Sequence, residues 1–135
     1  MRVLVVDDER TSLLIMRMYV ELLGGKAVTF TDPEAALIEA SRSSFDLAVL
    51  DVHMPKLDGI AMVGHLQRLA PDLPVIMISI DDDGGVRRAA FQAGASEFMV
   101  KPVARDEFAS TLQRLIHQTF ESEPAEQPPD AVAPP

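Results

Sequence analysis

The chain has 135 residues, 47% of them apolar, with 21 Asp and Glu against 12 Lys and Arg, a net charge of −9 and no Cys. One domain with a sizeable core fits that length, with no room for a second folded unit. The acidic field argues against direct nucleic-acid binding, the lack of Cys rules out disulfides and thiolate metal sites, and no apolar stretch approaches membrane-spanning or signal-peptide length, so a soluble, cytoplasmic chain is expected.

Five strand–helix units follow in order. Val3-Leu4-Val5-Val6 predicts a strand over 2–6 that ends at Asp7 and Asp8. A helix is expected over 10–23, with Leu13, Met16, Val20 and Leu23 on the sheet-facing side and Gly24-Gly25 as its stop. Ile15, Met18 and Leu22 then project from roughly the opposite side, where a surface helix should be polar. The second unit is a strand over 27–30 and a helix over 33–42, opened by Asp32-Pro33-Glu34 as an N-cap with proline in the first turn. The third is a strand over 46–50, running into Asp51, and a helix over 58–69. The fourth is a strand over 74–79 that ends at Ser79, and a helix over 84–93 that stops at Gly94. Asp81-Asp82-Asp83 before Gly84 reads as a loop and N-cap for that helix rather than a metal site. The last unit is a strand over 96–100 that ends at Lys101-Pro102, and a helix over 105–119.

Short, two-sided apolar runs alternating with helices imply a parallel sheet covered on both faces by right-handed crossovers. The fold class expected is α/β, a doubly wound five-stranded parallel sheet with five helices. Met16, Met54, Met62 and Met77 read as core or rim packing, and His65 and His117 as surface positions without metal-ligand spacing. Residues 1–120 form the domain. Composition changes after Phe120: residues 121–135 hold five prolines, four acidic residues and one large aliphatic, Val132, and are expected to be a disordered tail or linker.

Ligands of doubly wound sheets bind outside the carboxyl ends of the strands. Asp7, Asp8, Asp51, Ser79 and Lys101 all stand there. Two carboxylates about 4 Å apart repel by roughly 4 kcal/mol at an effective dielectric of about 20, and a third demands a cation. An all-oxygen donor set favours a hard divalent ion, with Mg2+ keeping several waters as the best match. Paired Asp residues after a strand are often only helix caps, and one of these can cap the first helix. Caps do not account for Ser79 and Lys101 at the same edge. A hydroxyl and an ammonium placed to hold phosphoryl oxygens, around carboxylates and Mg2+, fit covalent phosphorylation of Asp51.

Val5-Val6-Asp7-Asp8-Glu9, Leu50-Asp51-Val52-His53-Met54-Pro55 with Asp58-Gly59, Ser79, and Gly94 through Pro102 resemble the receiver domain of two-component response regulators, in register over residues 1 to 119. The resemblance implies a flavodoxin-like sheet of order 2-1-3-4-5. It makes Asp51 the phosphoacceptor for a histidine kinase or phosphotransfer protein. Asp8 would bind Mg2+ directly and Asp7 partly through water, with the His53 backbone carbonyl completing the protein ligands. Ser79 and Lys101 would hold the phosphoryl oxygens, Lys101–Pro102 would be a cis peptide, and Phe98 would be an aromatic switch moving inward with Ser79. The face of the first helix bearing Ile15, Met18 and Leu22 would receive the donor. Two positions depart from the family pattern: Ile80, where a small residue is usual, and His53, two residues after the acceptor. Each can alter entry to the site or phosphoryl lifetime, and neither removes an essential group.

Arg87, Arg88, Glu97, Asp106 and Arg114 give both charge signs to the surface of the fourth helix, fifth strand and fifth helix, which suits a symmetric homodimer. One alternative is the N-terminal receiver of a larger regulator with an enzymatic or DNA-binding effector. Another is a Mg2+-dependent phosphohydrolase with Asp51 as nucleophile. Such an enzyme needs a general acid, often an Asp two residues on, where this chain has His53, and a cap segment that it lacks.

Overall fold

The structure, a computed structural model, describes residues 1–126, and side-chain surroundings through residue 118. Its elements run β1 (Arg2–Val6), α1 (Arg10–Leu22), β2 (Lys26–Phe30), α2 (Pro33–Arg42), β3 (Leu47–Asp51), α3 (Gly59–Leu69), β4 (Val75–Ser79), α4 (Gly84–Ala93), β5 (Glu97–Val100) and α5 (Arg105–Glu126). All strand pairs are parallel, as the alternation of apolar runs and helices predicts, and the sheet order is β2-β1-β3-β4-β5, the flavodoxin-like order that the resemblance implies.

The period of two along each strand divides the core. Leu4, Val6, Ala48, Leu50, Val75, Met77 and Phe98 face one side, where α2, α3 and α4 cover them through Ala36, Met62, Val63, Leu66 and Ala90. Val3, Val5, Leu47, Val49, Ile76, Ile78 and Met99 face the other side, under Leu13, Met16 and Val20 of α1 and Phe108, Leu112 and Leu115 of α5. Burial on both faces is why these strands read as unbroken apolar runs rather than alternating ones. Ile15, Met18 and Leu22 remain exposed on α1, and Leu14 joins them. No described helix is long and apolar enough to cross a membrane.

Local signals explain most boundaries. Asp32 caps α2 by accepting from the Glu34 amide at 3.2 Å, and Asp83 caps α4 by accepting from the Gly85 amide at 2.7 Å. Asp58 does the same for α3 through Ile60. Gly94 ends α4 in the left-handed region, at φ 118°, where a side chain would be strained. Two expectations are corrected. Neither Asp7 nor Asp8 caps α1: Glu9 holds the N-cap position without a side-chain cap bond, and Asp7 Oδ1 is already taken by the Glu9 amide before the helix begins. At the other end, α5 continues to Glu126, past residue 119, where the helix was expected to end. Once a helix is docked, it is prolonged without a new nucleation cost, and Glu and Ala at 121, 123, 125 and 126 favour that state, although Pro124 adds no backbone donor. Residues 127–135, the rest of the expected tail, lie outside the described residues.

Candidate acidic site at the carboxyl edge of the sheet

The order β2-β1-β3 makes the β1/β3 boundary the topological switch point, where helices leave to opposite faces and a crevice opens. Val6 pairs with Leu50, so the next residues, Asp7 and Asp51, emerge side by side. One carboxylate oxygen from each of Asp7, Asp8 and Asp51 lies within 4.8 Å of the other two. Asp7 is fully buried, Asp51 is buried and Asp8 is exposed, so the cluster has a closed floor and one open side. A cleft of about 300 Å³ lined by Asp8, Val52, His53, Met54, Pro55 and Asp58 continues that open side.

Lys101, at the end of β5, reaches over the cluster. Its Nζ lies 2.9 Å from Asp7 Oδ2, 3.5 Å from Asp51 Oδ2 and 4.0 Å from Glu9 Oε1. The approach to Asp7 is an ion pair by distance but is not directed as a hydrogen bond, and the buried Asp7 Oδ2 has no hydrogen-bond donor. Burial pulls the Lys101 ammonium down, but its contact with Asp7 and the charges of Asp51, Asp7 and Glu9 more than reverse this, and the group is raised above its ordinary value. Asp51 moves up from 3.8 to about 6, first because burial penalises its charge and second because Asp7 repels it; Lys101 and the His53 amide only partly offset these. One ammonium does not neutralise three carboxylates, and a buried oxygen that has no hydrogen-bond donor and only that ammonium beside it, next to two further carboxylates, suits a hard cation.

Ser79 ends β4, fully buried, beside Lys101 along the edge: the Lys101 amide donates to the Ser79 carbonyl at 2.8 Å. Its hydroxyl accepts from the Asp81 amide at 3.0 Å and so is turned toward its own loop. Phe98 lies deeper, opposite Met77 in the sheet, 5% exposed, with the Arg87 guanidinium 4.8 Å from its ring centre. The Lys101–Pro102 peptide is cis. The five residues singled out at the strand ends are therefore gathered at one edge, and Phe98 beneath it. His53 is there too: its amide makes a long contact, 3.4 Å, with Asp51 Oδ1, and its ring Nε2 is 2.9 Å from Asp81 Oδ2.

Three features were not legible in the sequence. Asp81 reaches across to His53 rather than serving only as loop charge. Glu9 adds a fourth carboxylate to the surroundings of Lys101. Gly59 is needed because a Cβ there would run into the backbone carbonyl of Asp51, while its own amide donates to the Val52 carbonyl at 2.9 Å. The Asp58-Gly59 pair carried a signal in its cap residue, but the close approach is visible only in three dimensions.

The family model described as the response regulator receiver domain matches residues 3–113. The cyclic di-GMP phosphodiesterase response regulator RpfG of Xanthomonas campestris pv. campestris is 32% identical over 131 residues, 94% of this chain and 35% of that protein. The response regulator MprA of Mycobacterium leprae is 32% identical over 126 residues, 93% of this chain and 55% of that protein. This chain thus spans about a third to a half of the length of these relatives. The beryllofluoride-activated NtrC4 receiver domain dimer superposes with a TM-score of 0.83 at 30% identity, covering 87% of this chain and 98% of that one. Taken with the gathered carboxylates, hydroxyl and ammonium, these matches establish that the chain belongs to the receiver domain family of two-component response regulators.

Proposed function

We propose that this receiver takes a phosphoryl group on Asp51 from a histidine kinase or histidine phosphotransfer protein, in a Mg2+-dependent step, and passes the signal on through a protein-interaction surface. The observation that carries the reading is the buried Asp51 carboxylate set beside Asp7 and Asp8, with Lys101 Nζ 3.5 Å from its Oδ2. An Asp51 oxygen attacks the donor phosphorus, an acyl phosphate O–P bond forms, and the donor P–N bond breaks with its electron pair left on the imidazole nitrogen. With a value of about 6, Asp51 is mostly ionised at neutral pH and able to attack. Asp7, Asp8, Asp51 and the His53 carbonyl are the proposed protein ligands of Mg2+, which when bound neutralises charge on the transferring phosphoryl group. Lys101 is placed to hold a phosphoryl oxygen, leaving its resting pairs with Asp7 and Asp51. Ser79 would give up its contact with the Asp81 amide to do the same, and its shift is coupled to Phe98 on the neighbouring strand.

For the upstream partner, the exposed stripe of Ile15, Met18 and Leu22 on α1 is the proposed docking face of the donor. For the output, the α4-β5-α5 face is the proposed homodimer surface. A relative forms a receiver dimer in its beryllofluoride-activated form, and this face carries both charge signs, with Arg87 near Asp82 and Arg114 paired to Glu97 at 2.6 Å. The partial coverage of the relatives supports an effector attached to this receiver in the whole protein. The hydrolase reading has less behind it, since the position two residues after Asp51, where such enzymes often carry an acidic Asp, is His53. Incubation with acetyl phosphate and Mg2+ tests the acceptor: the parent chain is labelled, a chelator suppresses labelling, and Asp51→Asn is not labelled. Equal labelling of Asp51→Asn contradicts the assignment.

A further inference from the structure

Lys101 sits in a short stretch that is held at two points. On one side its amide donates to the Ser79 carbonyl at 2.8 Å. On the other, the Val103 carbonyl accepts from the Tyr19 hydroxyl at 3.0 Å, across 84 residues of sequence. Tyr19 is the chain's single tyrosine. Its ring packs on Phe108, with centres 5.9 Å apart, and Phe108 is fully buried in the first turn of α5. The Val103 side chain is buried in the same cluster as Leu13 and Met16 of α1. The partly buried ring of Tyr19 thus packs against the core, while its hydroxyl spends its one donor on the backbone two residues after Lys101. No other described contact of the Val103 carbonyl is present to replace it.

We propose that the Tyr19 hydroxyl is a positioning group for Lys101, fixing the turn from β5 to α5 so that the ammonium meets the phosphoryl oxygens at the Asp51 site. The inference rests on the phosphoryl-acceptor reading and adds to it a residue on α1, remote from the carboxylate cluster. Tyr19 does not touch the reacting atoms; it acts through the backbone that carries Lys101. Without the hydroxyl, the Val103 carbonyl must find water in a partly buried place, the turn samples other arrangements, and Lys101 is aimed correctly for less of the time. Loss of one neutral hydrogen bond corresponds to a change of about three- to tenfold in such a population.

The discriminating property is that Lys101 meets the phosphoryl oxygens and not the metal. Beryllofluoride at saturating Mg2+ is the probe for the first, and a Mg2+ titration for the second, both followed by amide NMR shifts of folded protein. Tyr19→Phe, which keeps the ring on Phe108, is expected to weaken beryllofluoride binding about three- to tenfold, while Mg2+ affinity does not fall, because a less well-aimed Lys101 leaves Asp7 and Asp51 freer for the metal. In a Lys101→Met background the same substitution is expected to have no further effect, the non-additivity of two residues that act as one. Unchanged beryllofluoride affinity in Tyr19→Phe overturns the proposal, as does an equal loss in both backgrounds or a parallel loss of Mg2+ affinity. If the parent chain takes up no beryllofluoride, the acceptor reading falls and this inference with it. If the parent binds it and only the Tyr19→Phe result fails, the acceptor reading stands alone.

Discussion

Replacing Asp51 by Asn should stabilise the fold while abolishing its proposed chemistry. In an unfolded chain Asp51 ionises near 3.8, whereas burial and the repulsion of Asp7 hold it at about 6 in the folded protein, net of the attraction from Lys101. A carboxyl whose folded value is raised binds protons better in the folded state, so stability falls as pH rises between those two values. The cost is absent below about pH 4, grows through pH 5 and is complete above about pH 6. At about 1.4 kcal/mol for each pH unit separating the two values, it amounts to at most about 3 kcal/mol at neutral pH. Asn keeps the shape and removes the charge, and Lys101 retains its 2.9 Å pairing with Asp7. For a domain of this size the gain corresponds to a rise in melting temperature of roughly 5–10 °C. Urea unfolding of both chains in a chelator, from pH 4 to pH 8, reads it directly. The difference between Asp51→Asn and parent should be largest above pH 6 and shrink toward zero at pH 4. An Asn variant no more stable than the parent at pH 7.5, or one whose advantage is the same at pH 4, would refute the electrostatic account of the site.

Mg2+ binding should be weak, and Asp8→Ala should lower it more than Asp7→Ala, because Asp7 is also held by Lys101; superimposable titration curves for the parent chain and Asp8→Ala contradict these ligand roles. Gly59→Ala forces a methyl against the Asp51 carbonyl and should cost about 1–3 kcal/mol in unfolding free energy, while an unperturbed urea midpoint would mean that the close approach is relieved elsewhere. Ile15→Lys combined with Met18→Lys changes only exposed positions, so the fold and acetyl-phosphate labelling should survive while transfer from the cognate donor slows; unimpaired transfer removes the case for that docking face.

Most of the architecture is written locally. Val3 through Val6 and Leu47 through Leu50 are apolar on both faces because both faces are covered, and Asp32, Asp83 and Gly94 mark helix ends by chemistry that acts over two or three residues. The gathering of Asp7, Asp8, Asp51, Ser79 and Lys101 was legible for a related reason: each stands at or just past the end of a strand, and a doubly wound sheet brings those ends together. What was hidden depends on contacts between distant segments. Asp7 spends an oxygen on the Glu9 amide and so does not cap α1. His53 and Asp81 meet across two loops, and the Tyr19 hydroxyl finds a carbonyl near Lys101. No periodicity or spacing encodes such pairings, since each partner alone has an ordinary role in its own element. The far end of α5 was misplaced for the opposite reason: composition records the fading apolar content after Phe120 but not the ease of prolonging a helix that is already docked.

Asp51 is the proposed receiver of the phosphoryl group, and chemical trapping examines that residue. After incubation with acetyl phosphate and Mg2+, borohydride reduces an aspartyl phosphate to homoserine, and peptide mass spectrometry then locates the converted residue. Homoserine at position 51, and at neither 7 nor 8, is the predicted result. Conversion at any other carboxylate, or none in a chain that has taken up phosphate, would contradict it.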